Sequence, residues 1–298
     1  MHIPVLLHEV IAGLDIHPGE TVLDGTLGGG GHFYAIADRL GEKGTLIGLD
    51  LDAQAFERID DVLEAHPKLT ILTKQSNFRH LDKALADLKI SGVDKILLDI
   101  GLSSFQFEES GRGFSFQKDE PLLMTFSENP EEGSATALSI VNTWDEQALA
   151  DGIFKYGEER YARKIARGIV DARKIKPIRT TTDLTNIILA STPMGYHHGG
   201  IHPATRTFQA LRILTNDELG NLTEGIRVAF DALKPPGRLA IISFHSLEDR
   251  IVKTLFREYA DQNLGTLITK KPIAPSDQEI SENPRSRSAK LRIIVKNP

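Results

Sequence analysis

The sequence predicts an α/β fold in which a doubly wound, mostly parallel sheet is closed by an antiparallel hairpin and interrupted by a helical insertion. Apolar runs alternate with helical stretches, and the runs are continuous, as in strands that are covered on both faces. After the fifth run and one helix, two runs follow with no helix between them, which predicts the hairpin. The seven runs are Thr21–Leu27, Thr45–Leu49, Leu69–Leu72, Lys95–Ile100, Arg238–Phe244, Thr266–Thr269 and Lys290–Val295.

The turn after the first run contains four consecutive glycines, Gly28 to Gly31, and a stretch with helical spacing follows it. A strand, a tight glycine turn and a helix start form the place where open α/β sheets bind nucleotide-like ligands. Asp24, Gly28 and Gly30 have the spacing acid-x-x-x-G-x-G, which resembles the first motif of class I S-adenosylmethionine (SAM) methyltransferases. An acid here suits a ligand with a cationic amino group. The alternative is a glycine-rich turn without a ligand.

Acidic residues also end the second and fourth predicted strands. Asp50 lies 20 residues after Gly30, where a carboxylate accepts hydrogen bonds from ribose hydroxyls in both NAD and SAM sites. Asp99 can accept from adenine or from a substrate amine, and Ser103 and Ser104 follow it closely enough to hydrogen-bond a base. The alternative for each serine is a helix or turn cap.

The composition restricts the class of function. The 298 residues carry a net charge of −6 and no cysteine, which excludes disulfides, thiolate metal sites and the cysteine nucleophile generally used to methylate pyrimidine carbon 5. His197, His198 and His202 lie close together without a nearby acidic pattern, so we expect no metal site. Without an apolar run of membrane-spanning length or a signal-like N-terminus, we expect a cytoplasmic protein with no membrane partner.

The interval between the fourth and fifth runs is far longer than a crossover needs and is strongly basic. Residues 155–179 hold nine Lys/Arg against three acids. We therefore predict an inserted helical substrate-recognition domain at 106–205, with 1–105 and 206–298 forming the SAM-binding domain. The predicted helices of the insertion are Trp144–Tyr156, Glu158–Lys174 and Thr182–Ala190.

The middle helix of the predicted insertion places apolar side chains on one stripe and basic side chains on the neighbouring arc. We predict that this arc contacts RNA phosphates; the alternative is a solvated helix face. The stretch from 284 to 298 holds five Lys/Arg and no acid. The candidate RNA-binding residues are Arg160, Arg163, Lys164, Arg167, Arg206, Arg285 and Arg287.

Several long motifs occur in order along the chain and together resemble the ribosomal RNA small-subunit methyltransferase H family, also called MraW. The resemblance extends essentially from end to end. In one segment the chain departs from the family pattern, because Glu120, Thr125 and Ser127 stand where a glycine, an arginine and an acid are usual. We expect this change to affect substrate positioning rather than SAM binding. The motifs are Leu98–Ser104, Arg112–Phe116, Tyr156–Arg160, His202–Ile213, Ser243–Arg250 and Asn283–Ser288.

The resemblance implies transfer of a methyl group from SAM to N4 of a cytidine in the decoding region of 16S rRNA. The expected partner is 16S rRNA within the small ribosomal subunit, and free rRNA as the substrate is left open. A homodimer is left open. Carried over residue by residue, the SAM contacts of the family fall on Gly30, Gly31, His32, Asp50, Phe78, Asp99 and Gln106, with Phe78 stacking on adenine.

Amine methylation needs groups that hold the nitrogen in line with the methyl group and accept hydrogen bonds from its N–H groups. The candidates at the carboxyl ends of strands are Asp99, Ser103, Ser104 and His245. The alternative for His245 is that it caps the following helix.

Two other classes of function remain open. A NAD-dependent oxidoreductase would share the glycine turn and Asp50, but it leaves the basic segment and the closing hairpin unexplained. A noncatalytic RNA-binding or assembly protein, or one of altered specificity, is compatible with the substituted segment at 120–127.

Overall fold

The computed structural model describes residues 4–102, 105, 107, 110–128, 130, 133–197 and 200–298. The chain divides into two compact units, each with its own apolar core. The first unit is Met1–Gly101 with Leu219–Pro298, and the second is Leu102–Glu218. Among the described helices, none combines the length and apolarity needed to cross a bilayer.

The first unit is built on a seven-stranded sheet. Its strand order is β3-β2-β1-β4-β5-β7-β6; neighbours from β3 through to β5 are parallel, and β7 is antiparallel to both β5 and β6. The prediction of a doubly wound, mostly parallel sheet closed by an antiparallel strand pair is confirmed. The expectation that no helix separates the last two strands is wrong, because the short helices Asp277–Glu282 and Pro284–Ser288 lie between them. The strands are β1 Thr21–Asp24, β2 Thr45–Asp50, β3 Thr70–Gln75, β4 Val93–Asp99, β5 Leu233–Ser243, β6 Gly265–Leu267 and β7 Lys290–Lys296.

Both faces of this sheet are covered by helices. Neighbouring residues of β1 show the alternation, since Val22 packs in one apolar core and Leu23 in the other. This explains why the strands read as continuous apolar runs. The described helices are α1 Leu7–Leu14, α2 Gly31–Leu40, α3 Asp60–Ala65, α4 Leu81–Asp87, α5 Ala137–Thr143, α6 Glu146–Gly157, α7 Ala162–Ile175, α8 Thr181–Ser191, α9 Met194–His197, α10 Ala204–Asn216, α11 Glu218–Ala232, α12 Ser246–Asp261 and α13 Asp277–Glu282.

The sheet reverses its winding direction at β1. From β1 the order continues to β2 on one side and to β4 on the other. Open α/β sheets bind ligands at the carboxyl ends of the strands beside such a switch point. Asp24, Asp50 and Asp99 are the last residues of β1, β2 and β4, so the topology brings all three acids to this edge.

The second unit is helical, but its limits differ from the predicted ones. A boundary after residue 205 would cut the first turn of α10, whose Phe208 and Leu211 pack in the apolar core of this unit. The helix therefore belongs to the insertion. The predicted helix from Glu158 also starts later, at Ala162, because Glu158 adopts the left-handed conformation (φ 51°) that ends α6.

Candidate cofactor site and basic surface

The glycine turn between β1 and α2 is shaped by backbone conformation. Gly28 and Gly30 have φ values of 52° and 76°, in the left-handed region that favours glycine. Gly31 has a different constraint, because a Cβ at this position would lie 2.3 Å from Cγ of Pro4. The turn therefore needs glycine at Gly28 and Gly30 for conformation, and at Gly31 for close packing.

Asp50 fixes this turn through both of its carboxylate oxygens. Oδ2 accepts a hydrogen bond from the Gly28 N–H at 2.8 Å, and Oδ1 accepts one from the Asp52 N–H at 2.8 Å. Burial raises the pKa of Asp50. Each carboxylate oxygen can accept a second hydrogen bond. The ribose contact predicted for Asp50 is therefore compatible with its structural role, and it stays a prediction.

Asp24 and His32 are buried beside the turn, and Asp99, whose side chain is 24% exposed, lies next to His32. Nδ1 of His32 lies 3.7 Å from Oδ2 of Asp99, and Nε2 lies 3.0 Å from the carbonyl oxygen of Val5. Because a carbonyl oxygen only accepts hydrogen bonds, Nε2 carries a proton. Burial lowers the pKa of His32, which favours the neutral ring. In its neutral form, His32 turns an unprotonated Nδ1 toward Asp99 and supplies no positive charge to the two acids.

The carboxylates of Asp24 and Asp99 are poorly compensated by the protein itself, although the Thr26 N–H donates to Oδ1 of Asp24 at 3.1 Å. Burial raises the pKa of Asp24 to about 6 and that of Asp99 to about 7. Oδ1 of Asp99 accepts no hydrogen bond from any described residue. A buried acceptor is destabilising unless a ligand supplies the missing donor or positive charge. The arrangement therefore fits SAM, which carries an ammonium group and a sulfonium group.

Phe78 opens the one-turn helix Phe78–His80 after β3. Its half-buried side chain packs against the core on one face of the sheet. A Cβ on Gly225 of α11 would lie 2.4 Å from its Cδ2, so the ring rests directly on that helix. This contact does not test the adenine stack, which stays a prediction.

Four other predicted site residues receive less support from the geometry. Ser103, Ser104 and Gln106 lie outside the described residues. His245 caps α12: its Nδ1 accepts from the Glu248 N–H at 3.3 Å, and Oε2 of Glu248 accepts from the His245 N–H at 3.1 Å. The structure thus supports the capping alternative for His245, and its contact with substrate stays a prediction.

The basic arc predicted for the insertion lies on α7 and on the residue pair before it. Ile165 and Ile169 are buried in the core of the second unit, whereas Arg163, Lys164 and Arg167 are exposed. One face of α7 therefore packs and the neighbouring face is basic. Arg160 is exposed as well, but it lies in the loop before α7.

Several of the basic side chains in this segment already have partners. Nε of Arg167 lies 3.3 Å from a carboxylate oxygen of Glu146, and Nζ of Lys174 lies 2.9 Å from one of Asp171. Arg173 is structural, because it donates to the carbonyl oxygens of residues 141 and 144 at 2.7 and 2.6 Å. These positive charges are therefore either paired with acids or hydrogen-bonded to backbone carbonyl oxygens within the second unit.

Arg160, Arg163 and Lys164 differ from these residues. In the described part of the chain, none of these three side chains makes a hydrogen bond or an ion pair. Arg163 and Lys164 lie in the first turn of α7, which has no acid and no side-chain cap. Positive charge is unfavourable at a helix N-terminus. Helix stability therefore does not explain these cations, and an anionic partner would.

The remaining RNA candidates are placed elsewhere. Nη1 of Arg206 donates to the carbonyl oxygen of Glu158 at 2.9 Å within the second unit. Arg285 and Arg287 are exposed on the one-turn helix Pro284–Ser288 in the first unit. RNA contacts by these three arginines stay predictions.

The segment that departs from the family pattern is well packed. Leu122 and Met124 are buried in the core of the second unit, and the ring of Phe126 stacks on that of Phe114 at a centroid distance of 5.8 Å. Glu120, at the position of the usual glycine, accepts from the Gly113 N–H at 3.0 Å. The substitutions are therefore accommodated by the fold of this unit.

Three residues that contribute to the acidic site of the first unit or to the basic surface of the second are absent from the predicted site residues. The glycine motif includes Asp24 as its acid, and this motif is the sequence signal that marks the residue. Glu159 is fully buried, and Tyr196 donates its hydroxyl hydrogen bond to it at 2.6 Å. The Tyr156–Arg160 motif pointed to Glu159, whereas nothing local to Tyr196 marked it.

Comparison with known proteins agrees with this arrangement. The family model described as the MraW methylase family matches residues 1–297. Ribosomal RNA small subunit methyltransferase H of Brevibacillus brevis is 42% identical, over 99% of this chain and 98% of the relative. The protein of the same name from Koribacter versatilis is 48% identical, over 99% of this chain and 94% of the relative. A crystal structure of an rRNA methylase from Streptococcus thermophilus aligns over 100% of both chains at 11% identity, with a TM-score of 0.46. With a family match across nearly its whole length and a buried acidic site that fits a cationic cofactor, the chain belongs to the MraW methylase family, and SAM is its methyl donor.

Proposed function

We propose that this chain methylates the exocyclic N4 of a cytidine in the decoding region of 16S rRNA, within the small ribosomal subunit. The names of its relatives and the motifs shared with their family support rRNA as the substrate. The absence of cysteine from the sequence supports a nitrogen or oxygen target over pyrimidine carbon 5. The uncompensated basic residues Arg160, Arg163 and Lys164 support a polyanionic substrate.

The chemistry requires the protein to make a weak nucleophile react. The lone pair of the cytosine amine is delocalised into the ring, so the nitrogen must be held in line and made more pyramidal. When bound, SAM supplies a methyl group that its sulfonium already activates. This chain contributes positioning and hydrogen-bond acceptors for the amine N–H groups.

The observation that carries the proposal is the buried Oδ1 of Asp99, which accepts no hydrogen bond from the described residues. In its ionised form this carboxylate can accept from the amine of the target cytosine. It can also accept from SAM, as the family pattern implies. We propose that Ser103 and Ser104, which follow it, orient the base.

The decisive experiment supplies radiolabelled SAM with unmethylated small ribosomal subunits or with free 16S rRNA, and identifies the labelled nucleoside by mass spectrometry. We expect N4-methylcytidine. Asp99→Asn should lower kcat by about 100-fold if the carboxylate contacts the amine, and should mainly raise KM for SAM if it contacts the cofactor. Label on another nucleoside, or no label, would contradict the proposed reaction.

A noncatalytic protein that binds SAM and RNA is the second candidate. The observation favouring it is the segment at 120–127, where an arginine and an acid usual in the family are replaced by Thr125 and Ser127. Binding of both ligands without any methyl transfer would support this candidate. The homodimer stays a prediction, for which sedimentation of the purified protein is the measurement.

A further inference from the structure

Arg160 is held against two tyrosine rings of the second unit. Its Cζ lies 4.9 Å from the ring centroid of Tyr161 and 4.9 Å from that of Tyr196. The two rings meet edge to face, with centroids 5.0 Å apart. The exposed guanidinium makes no hydrogen bond or ion pair with the residues that the structure describes. Its N–H donors are therefore available, while the rings restrict its orientation.

Glu159 holds the ring of Tyr196 and the backbone of Tyr161 from the interior of the unit. Its fully buried carboxylate accepts from the Tyr161 backbone N–H through Oε1 at 2.8 Å and from the Tyr196 hydroxyl through Oε2 at 2.6 Å. Burial and the Glu159 charge raise the pKa of Tyr196 to about 12, so the hydroxyl keeps its proton at neutral pH. One buried residue thus binds both tyrosines that contact Arg160, Tyr161 through its backbone and Tyr196 through its side chain.

The surroundings of Arg160 are cationic. Nζ of Lys164 lies 5.8 Å from the centroid of the Tyr161 ring, and Arg163 is in the same turn of α7. None of these cations pairs with an acid among the described residues. Since the aromatic contacts of the guanidinium are already made, the planar set of N–H donors is what it offers to a ligand. That donor geometry matches the oxygens of a phosphate.

We propose that Glu159, Tyr161 and Tyr196 form a clamp that orients Arg160 to bind a backbone phosphate of the substrate RNA. Arg160 is the contacting residue, and Glu159 is a positioning residue that acts through Tyr196. The inference rests on the proposed RNA substrate and deepens it. A preorganised arginine binds with a smaller loss of side-chain entropy than a free one. This explains why a buried carboxylate is used to position a surface side chain.

The first test measures the affinity of the full-length protein for 16S rRNA between 50 and 200 mM KCl. Arg160→Ala should weaken binding by about tenfold and lower the slope of log affinity against log salt by about one, because one phosphate contact is lost. Lys174→Ala is the matched control, since Lys174 is exposed on the same segment and already paired with Asp171. We expect this control to stay within about twofold of the wild type. An unchanged slope in Arg160→Ala would overturn the clamp.

The second test separates positioning from a general structural role. Tyr196→Phe keeps the ring and removes the hydroxyl that Glu159 fixes. We expect RNA binding to weaken by about threefold in the wild-type background and not at all in the Arg160→Ala background, since neighbours that act through one another are not additive. The same loss in both backgrounds would show that Tyr196 does not act through Arg160. Calorimetry with SAM and circular dichroism of each variant serve as folding controls.

Failure of the proposed clamp can be distinguished from failure of the proposed methylation reaction. If the wild type binds RNA with a slope that Arg160→Ala lowers, yet forms no N4-methylcytidine, the clamp is supported and the reaction is wrong. If N4-methylcytidine forms and the slope does not change, the clamp alone is overturned. A wild-type protein that binds no RNA overturns both.

Discussion

At the scale of single residues, the desolvated carboxylates of Asp24 and Asp99 beside the glycine turn lower the stability of the fold and suit a cationic ligand. Asp99 and Asp24 have raised pKa values because they are desolvated, and the described residues give Oδ1 of Asp99 no donor. Because the pKa of each group is raised in the folded protein, ionisation of the group lowers the free energy of unfolding. They are retained here in a position that suits a cationic ligand, which is how functional sites depart from the best choice for stability.

The pH dependence of stability follows from the direction of these shifts. The pKa of Asp99 is about 7 in the folded protein against 3.8 for an unperturbed carboxyl, so between these values the folded state binds more protons than the unfolded state. The free energy of unfolding should therefore fall as pH rises from 4 to 7. Asp99→Asn should remove roughly 2 kcal/mol of this fall, measured by urea denaturation at pH 5 and pH 8 without SAM. The exposed Asp82→Asn is the control. An equal fall in the wild type and in Asp99→Asn would contradict the buried charge.

Asp50 offers a second prediction at this scale, because its structural and ligand-binding roles can be separated. Asp50→Asn keeps the shape but replaces one acceptor by a donor, which opposes either the Gly28 or the Asp52 N–H. With the ribose contacts also lost, SAM affinity should fall by about 2–3 kcal/mol in calorimetry. Asp52→Asn, which changes the acceptor of the 3.1 Å bond from the Gln54 N–H and leaves both bonds to the Asp50 carboxylate in place, should change SAM affinity far less. Unchanged affinity in Asp50→Asn, or a larger loss in Asp52→Asn, would reject Asp50 as the ribose acid.

At the scale of secondary-structure elements, the shared motif around Tyr156–Arg160 is explained by the junction between α6 and α7. Gly157 lets the backbone of α10 approach, Glu158 ends α6 in the left-handed conformation, and Glu159 turns into the interior. Arg160 is then delivered to the surface before α7 begins. If α7 began at Glu158, this junction would not exist, and it would not direct Glu159 into the interior and Arg160 to the surface.

The closeness of α6 and α10 yields a prediction for Gly157. A Cβ at this position would lie 2.4 Å from the backbone oxygen of Arg206, which cannot move without shifting α10. Gly157→Ala should therefore destabilise the protein by about 2–3 kcal/mol in urea denaturation. Gly195→Ala in α9 is the matched control, because a Cβ there meets nothing within 4 Å, and it should change stability by less than about 1 kcal/mol. Equal effects of the two variants would contradict the close approach.

At the scale of the whole molecule, the chain has two units with separate apolar cores. The residues proposed to hold SAM and described by the structure all lie in the first unit. Hydrogen exchange measured with SAM at 100 times its Kd should raise the opening free energy of amides in β1 and β4 by about 2.7 kcal/mol. We expect amides of α7 and α8 to change much less, because domains with their own cores open separately. NAD at the same concentration is the control and should protect neither unit. Equal protection of both units by SAM would show that they unfold together, and protection by NAD would favour an oxidoreductase.

The strands, the glycine turn and the acids that follow it could be read from the sequence because they are locally encoded. A buried parallel strand is a continuous apolar run, and a tight turn before a helix requires glycine. The limits of the insertion could not be read in this way. Ala204–Asn216 belongs to the helical unit only because Phe208 and Leu211 find their apolar partners there, and local pattern does not specify such partners.

The sequence by itself determined the class of sheet and the family with its methyl donor, and it predicts that the ligand lies at the switch point of the sheet. Only the tertiary structure decided which charges are compensated: Oδ1 of Asp99 is without a donor among the described residues, Arg167 is paired with Glu146, and Arg160 is held by rings. The physical reason is that desolvation and hydrogen bonding depend on neighbours distant in sequence. Glu159 and Tyr196 are 37 residues apart along the chain, yet their side chains meet at 2.6 Å.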